Sequence, residues 1–404
     1  MRNFSNTRLL TFPGLEKLGM IKSFYFFIHI SFAIILTYFP AYLSANGYSG
    51  KQIAFITSIG FVLGFFIPLV FGFIADRTQR PALILRLLLL MTVVSLLPFL
   101  SPAIGYTLIV ISYFFYSFFN VPIMGIADSM ATAQAKEKGS DYGKIRMWAS
   151  LGWFIAVSGF GIIMDRLGFG PESPGLFAVL IISYSIVFLV SLTLTERKAE
   201  TQDRLKLKDI KKFMGNRSFV IFIIAVIFHY ASMSPFGIFI GPLVQELELS
   251  QSVLGMTAGM ASGVEVLTLL AFGWLAMRLR LESILLAAVL LTSLRWFMIS
   301  LVSTATPLIL IQGLHGATAG LFIAAAVTFA GELAPKGMKV SAQMILALAG
   351  AGLGNLIGVN ITGILFDYFG SIQRTFLVSA SIEIIPAILL TYMIFFDKQK
   401  PVST

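Results

Sequence analysis

The chain of 404 residues is 57% hydrophobic and only 12% charged, with a mean hydropathy of +0.89, which excludes an ordinary soluble globular domain. It contains no cysteine, so disulfides, thiolate metal sites and thiol nucleophiles are excluded together, and the redox compartment stays open. A net charge of +10 would suit a nucleic-acid partner only if the basic residues formed one patch, and their distribution argues otherwise.

A helix needs ~20 apolar residues to cross ~30 Å of hydrocarbon, whereas barrel strands show alternating segments of ~10. Long apolar runs recur along the whole chain, so the fold class is all-α integral membrane. Twelve transmembrane spans are predicted, near 18–43, 52–75, 82–101, 106–133, 146–166, 175–195, 218–242, 252–277, 281–302, 306–331, 340–366 and 373–396. The first is too long for a signal peptide's apolar core and is followed by no small-residue cleavage site, so it is read as retained. With both termini cytoplasmic, the inner segments hold 25 of the 29 Lys and Arg, and the outer loops hold three: Lys51, Arg166 and Arg374. That bias sets the orientation by the positive-inside rule. The remaining one, Arg295, lies within a span.

Residues 196–217, "ERKAETQDRLKLKDIKKFMGNR", are the only long polar interruption. They form a cytoplasmic linker between an N-terminal six-helix bundle (1–195) and a C-terminal one (218–404). Leu207, Ile210, Phe213 and Met214 share a helical face among lysines, which suits a short helix on the anionic inner leaflet; a solvated connector is the alternative. The halves also repeat. "FGFIADR" (Phe71–Arg77) matches "FGWLAMR" (Phe272–Arg278) at an offset of 201, and "GIIMDRLG" (Gly161–Gly168) matches "GILFDYFG" (Gly363–Gly370) at 202. Two matches at nearly one offset argue for a duplicated, pseudo-symmetric unit, a signature of secondary transporters.

"GFIADRTQR" (Gly72–Arg80), between spans 2 and 3, resembles the Gly-x-x-x-Asp-Arg signature of the major facilitator superfamily. Gly72 would let helices approach closely, and Asp76 with Arg77 and Arg80 would form a cytoplasmic gating cluster in one state.

Ionisable residues inside the spans point to the site. They are His29 (span 1), Asp128 (span 4), His229 (span 7), Glu265 (span 8), Arg295 (span 9), His315 (span 10) and Glu383 (span 12). A charge at the bilayer centre costs ~2.5–3.5 kcal/mol on insertion scales, so such groups are expected to pair or to face a wet cavity. Glu265, Arg295 and His315 fall at similar depth, and the expectation is a triad in which Arg295 pairs with Glu265 and His315. Asp128 and Arg146 lie eighteen residues apart across a short loop, close enough to pair across antiparallel helices; alternatively Arg146 snorkels to the headgroups. His29 and His229 occupy near-equivalent places in the repeats, either at substrate or in hydrogen bonds between helices, and Glu383, near Pro386, is left unassigned. The run "GAGLGN" (Gly350–Asn355) lacks nucleotide-loop spacing and is read as a helix-packing stripe.

These clusters resemble the lactose permease-like oligosaccharide:proton symporters and the phenylpropionate permease-like family. "RMWASLGW" (Arg146–Trp153) is similar to the segment whose arginine binds sugar hydroxyls and whose tryptophan stacks on the ring, which implies those roles for Arg146 and Trp153. Asp128 stands where that family has a span-4 glutamate, and "DYGKIR" (Asp141–Arg146) is close to the phenylpropionate-type pattern. "GVEVL" with Glu265, "SLRW" with Arg295 and "GLHGATAG" with His315 match the second-half carboxylate, arginine and histidine. The lactose-type symporters carry a second span-10 acid three residues after the histidine; here that place is Thr318, which puts proton coupling in question.

The expected function is import of a small polar organic solute, first a sugar or oligosaccharide, by proton symport through alternating access. An aromatic acid, a nucleoside or uncoupled facilitation are the alternatives. The expected substrate-binding set is Asp128, Arg146, Trp153, Glu265, His315, His29, Asn120 and His229. Glu265, Arg295, His315 and Asp128 are expected to couple the proton, with Arg295 setting when Glu265 takes it up. No catalytic constellation, metal or cofactor is implied, so an enzyme is disfavoured. The remaining expectations are a multi-pass plasma-membrane protein, with the bacterial inner membrane as setting, working as a monomer.

Overall fold

The computed structural model describes residues 13–137, 142–195 and 212–396, in which all regular structure is helical. The first half contributes α1 (Pro13–Ala45), α2 (Gly50–Thr78), α3 (Pro81–Leu100), α4 (Tyr106–Glu137), α5 (Tyr142–Leu167) and α6 (Gly175–Ser191). The second contributes α7 (Arg217–Glu246), α8 (Gln251–Ala276), α9 (Leu281–Ile299), α10 (Ala305–Leu333), α11 (Lys339–Phe369) and α12 (Ile372–Phe396). Eleven are long and apolar enough to cross a membrane, whereas α6 is apolar but has 17 residues. Most of the linker, 196–211, lies outside the described residues, and with it the Leu207 and Ile210 part of the predicted amphipathic face. Of the remainder, Phe213 is buried against Phe219 and Met214 is exposed.

Local chemistry explains where these helices start and bend. Ser49 and Gln52 form a capping box that opens α2. Gln79 ends it in the left-handed region at φ 55°, and Pro81, whose missing N–H costs nothing in a first turn, opens α3. The α4 ladder relaxes around Pro122. In α12 the break falls at Glu383 because Pro386 has no N–H to give the carbonyl four residues back. Helices α10 and α11 widen into glycine-rich π turns at Gly316–Gly320 and Leu348–Gly354.

Packing is lopsided along the bundle. The halves meet along three seams: α1 on α7, α2 on α11 and α5 on α8. Buried residues of α2 run from Gly50 to Ser58 and resume only at Ala75; those of α8 run from Gln251 to Ala261 and stop. One apolar core gathers the first six helices together with α7 and α8 residues from that same end, such as Phe239, Leu243 and Leu254. A second core belongs to the second half alone. The seams are therefore closed where α2 and α8 begin and part toward the α2–α3 and α8–α9 turns.

Candidate functional site

In the first half, α4 and α5 carry the two charges that the sequence places opposite each other. Arg146 Nη1 lies 3.4 Å from Asp128 Oδ1, with the side chains 50% and 36% exposed, so the pair faces open space and not a dry core. The same oxygen accepts hydrogen bonds from the Tyr142 hydroxyl at 2.7 Å and from the Tyr25 hydroxyl. Three helices, α1, α4 and α5, thus converge on one carboxylate, leaving the other Arg146 nitrogens able to donate. The tyrosines were not anticipated, although Tyr142 sits inside the "DYGKIR" stretch and Tyr25 one turn before His29. Asp141 lies outside the described residues. His29 does not reach Asp128; its Nδ1 is 2.9 Å from the Tyr25 carbonyl oxygen, and its ring stacks on Tyr25.

Two turns along α5, the half-buried Trp153 donates from Nε1 to Ser262 Oγ at 3.2 Å. Ser262 follows the last buried residue of α8, so this bond joins the halves where the α5–α8 seam begins to part.

In the second half Glu265 and His315 meet as expected, with Oε2 3.6 Å from Nε2. The His315 ring packs on Phe236, 5.2 Å between centroids, and its buried Nδ1 has no hydrogen-bond partner among the described residues. The π turn begins immediately after His315.

Arg295 departs from expectation. It is fully buried, yet no carboxylate among the described residues pairs with it. Its guanidinium donates to Gln312 Oε1 and, at 3.1 Å, to Thr318 Oγ1. It lies over the rings of Phe236 at 4.3 Å and Trp296 at 4.5 Å. The expected pairing with Glu265 is replaced by amide and hydroxyl acceptors three residues either side of His315 and by two aromatic faces, which attract a desolvated cation. Thr318, where the lactose-type symporters have an acid, is here a ligand of Arg295.

Three further expectations change. His229 is buried and takes the second of its two alternatives, a hydrogen bond between helices, its Nδ1 2.9 Å from Glu383 Oε1 on α12; Ser232 also donates to that carboxylate, so the unassigned Glu383 belongs to a sealed His–Glu–Ser cluster. Asn120 is likewise withdrawn, donating at 2.8 Å to the Tyr184 hydroxyl, which is 2.8 Å from that of Tyr116. At Gly72 no close approach occurs, since an added Cβ would meet nothing within 4 Å. Arg77 and Arg80 are exposed and Asp76 is half-buried, at the end of the bundle where the halves have parted.

A family model, the MFS_1 like family, matches residues 18–378. The chain is 25% identical over 375 residues to the maltose permease of Geobacillus stearothermophilus, covering 91% of this chain and 93% of that one. It is 22% identical to the putative nucleoside transporter YegT of Escherichia coli (strain K12), over 82% of this chain and 80% of that one. In fold it resembles the crystal structure of the nucleoside transporter NupG, with a TM-score of 0.83 at 16% identity, covering 94% of this chain and 99% of that one. The expected resemblance to major facilitator transporters is thereby borne out. The chain belongs to the MFS_1 like family and is a multi-pass membrane transporter, not an enzyme.

Proposed function

We propose that the protein imports a small polyhydroxylated solute by proton symport, as two pseudo-symmetric six-helix bundles with twelve spans and both termini on the cytoplasmic side. On this reading α6, with 17 residues, is the shortest span, at the lower limit for a crossing helix. The lysine and arginine bias makes the closed end outer and the parted end cytoplasmic, so the described state is inward-facing. A bacterial inner membrane, monomeric action and no cofactor other than the coupling proton complete the proposal.

One observation carries it: the Asp128–Arg146 pair is open and not sealed, and further along the same α5 Trp153 reaches Ser262 of the other half, on the helix that also carries Glu265, the partner of His315. Carboxylate and guanidinium together offer the acceptor and bidentate donors that vicinal hydroxyls need, and the indole offers a face for the apolar side of a ring. A sugar is the first substrate class. A nucleoside is the second, supported by the names of two relatives and by Phe236 packed on His315, which suits a flat base. Glu265 and His315 supply the proton site, with Arg295 next to it on α9 and Asp128 giving the first half its own proton acceptor. The stretch that holds Asp76, Arg77 and Arg80 would serve as the cytoplasmic gate.

Proteoliposome uptake across sugars, nucleosides and aromatic acids, with and without an imposed proton gradient, tests both parts. Concentrative uptake of one sugar that collapses with the gradient is the expected result. Uptake that is equally fast and no more concentrative with the gradient would leave a facilitator.

A further inference from the structure

The repeat "GIIMDRLG" and "GILFDYFG" is unused by the binding site, yet the fold brings both copies to the closed end in one arrangement. Asp165, in the last turn of α5, accepts from the first two N–H groups of α8: Gln251 at 3.1 Å on Oδ1 and Ser252 at 2.8 Å on Oδ2. Asp367, in the last turn of α11, accepts from the first two N–H groups of α2: Gly50 at 2.5 Å on Oδ1 and Lys51 at 3.1 Å on Oδ2. Each carboxylate belongs to one half and each helix start to the other.

The residue four positions earlier repeats as well. A Cβ on Gly161 would sit 2.1 Å from the Gln251 carbonyl oxygen, and one on Gly363 would sit 2.4 Å from that of Gly50. At both seams a G-x-x-x-D unit combines a backbone-to-backbone approach with a bidentate cap. The first N–H groups of a helix lack intrahelical partners and carry its positive dipole end, so a carboxylate there meets both a hydrogen-bonding and an electrostatic demand. Helix α8 has no cap of its own, since Ser250 makes no side-chain cap bond. Parting the halves would strip these N–H groups of their acceptors.

We propose that Asp165 and Asp367 are paired latches that position the two halves for transport: they hold the outer end shut in the inward-facing state and release together when the carrier turns outward. Naming that end outer rests on the sidedness proposed above; the latch itself does not.

The natural absence of cysteine permits a direct test. Ala54, against Gly363 in the α2–α11 seam, and Ser158, against Gly259 in the α5–α8 seam, each become the single thiol in purified protein, read by maleimide labelling rate. Asp165→Ala is expected to raise labelling at Ala54→Cys, on the opposite seam, and Asp367→Ala at Ser158→Cys, each about fivefold, as loss of a charge at a helix start implies. Gly161→Ala should act in the same direction by wedging the seam against the Gln251 carbonyl; its Cβ also meets the Tyr38 hydroxyl of its own half at 2.8 Å, so a melting curve accompanies the labelling. Asp165→Asn, which keeps one acceptor, should give a smaller rise. Unchanged rates with all of these substitutions, or a rise confined to the substituted seam, would overturn the paired latch. Glu172→Cys, in the exposed α5–α6 turn, tests sidedness separately: an impermeant maleimide should label it from outside intact cells whether or not the latches are cut. Labelling only from inside would reverse the orientation while leaving the purified-protein result to judge the latch.

Discussion

Asp128 and Glu383 are both carboxylates at membrane depth, and both are held by hydroxyl and nitrogen-bearing side chains, yet their surroundings are opposite. Asp128 is 36% exposed and shares its oxygen with a half-exposed arginine and two tyrosines. Glu383 is fully buried against His229 and Ser232, with Phe322 stacked on the imidazole at 3.7 Å. A carboxylate whose partners face a cavity can exchange them for a ligand at little cost. One whose partners are sealed in cannot, because any exchange leaves a polar group dry. Charge in a span is thus a pointer to function only once its access is known. Arg295 belongs with the sealed group by burial and with the open group by neighbourhood, since Gln312 and Thr318 flank the cavity residue His315.

The sharpest way to break this contrast is to remove one sealed partner. Glu383→Ala takes the carboxylate from His229 and leaves Ser232 only the His229 carbonyl as acceptor, and should destabilise the protein by about 3–5 kcal/mol, seen as a lowered unfolding midpoint in detergent. The double change His229→Leu with Glu383→Met replaces the whole cluster by apolar volume and should return to within about 1 kcal/mol of the parent. If the double variant stays as unstable as the single one, or folds but loses transport, Glu383 belongs with the functional carboxylates.

The open pair should behave in reverse. Arg146→Ala removes charge-assisted donors worth about 1.5–3 kcal/mol, which is roughly a 10- to 100-fold loss in solute affinity. Stability should hardly move, because exposed ion pairs contribute about 0–1 kcal/mol. Asp128→Asn with Arg146→Gln should not restore binding, since here the ligand, and not the partner, is the third party. Isothermal titration with the transported solute, beside a melting curve, reads both quantities. A large fall in melting temperature with affinity intact would move the pair into the structural class.

Sequence reasoning reached these residues unevenly, for physical reasons. Apolar run length reveals spans because the bilayer fixes helix length, and prolines such as Pro122 and Pro386 mark where ladders break. Asp128 and Arg146 were legible because a short loop forces their helices to be neighbours. The Tyr25 bond to Asp128 and the Trp153 bond to Ser262 were not, since each joins helices more than a hundred residues apart and depends on helix rotation. For Arg295 the expectation that buried charge seeks charge failed because an amide, a hydroxyl and two rings take up its two terminal nitrogens and its faces, although Nε has no partner among the described residues. Glu383 was not legible because only the folded packing of α12 on α7 places the carboxylate at His229.

The smallest expected effect falls on the boundary between the two classes. Trp153→Phe keeps an aromatic face for the solute but deletes the N–H that reaches Ser262 in the other half. A single neutral hydrogen bond is worth about 0.5–1.5 kcal/mol, so solute affinity should fall by roughly two- to tenfold. Ser262→Ala should do the same, and the double variant should fall no further, because both substitutions remove one bond. Additive losses would mean that the indole N–H and the serine hydroxyl each meet the solute separately. In that case Ser262 joins Asp128 and Arg146 as a direct contact.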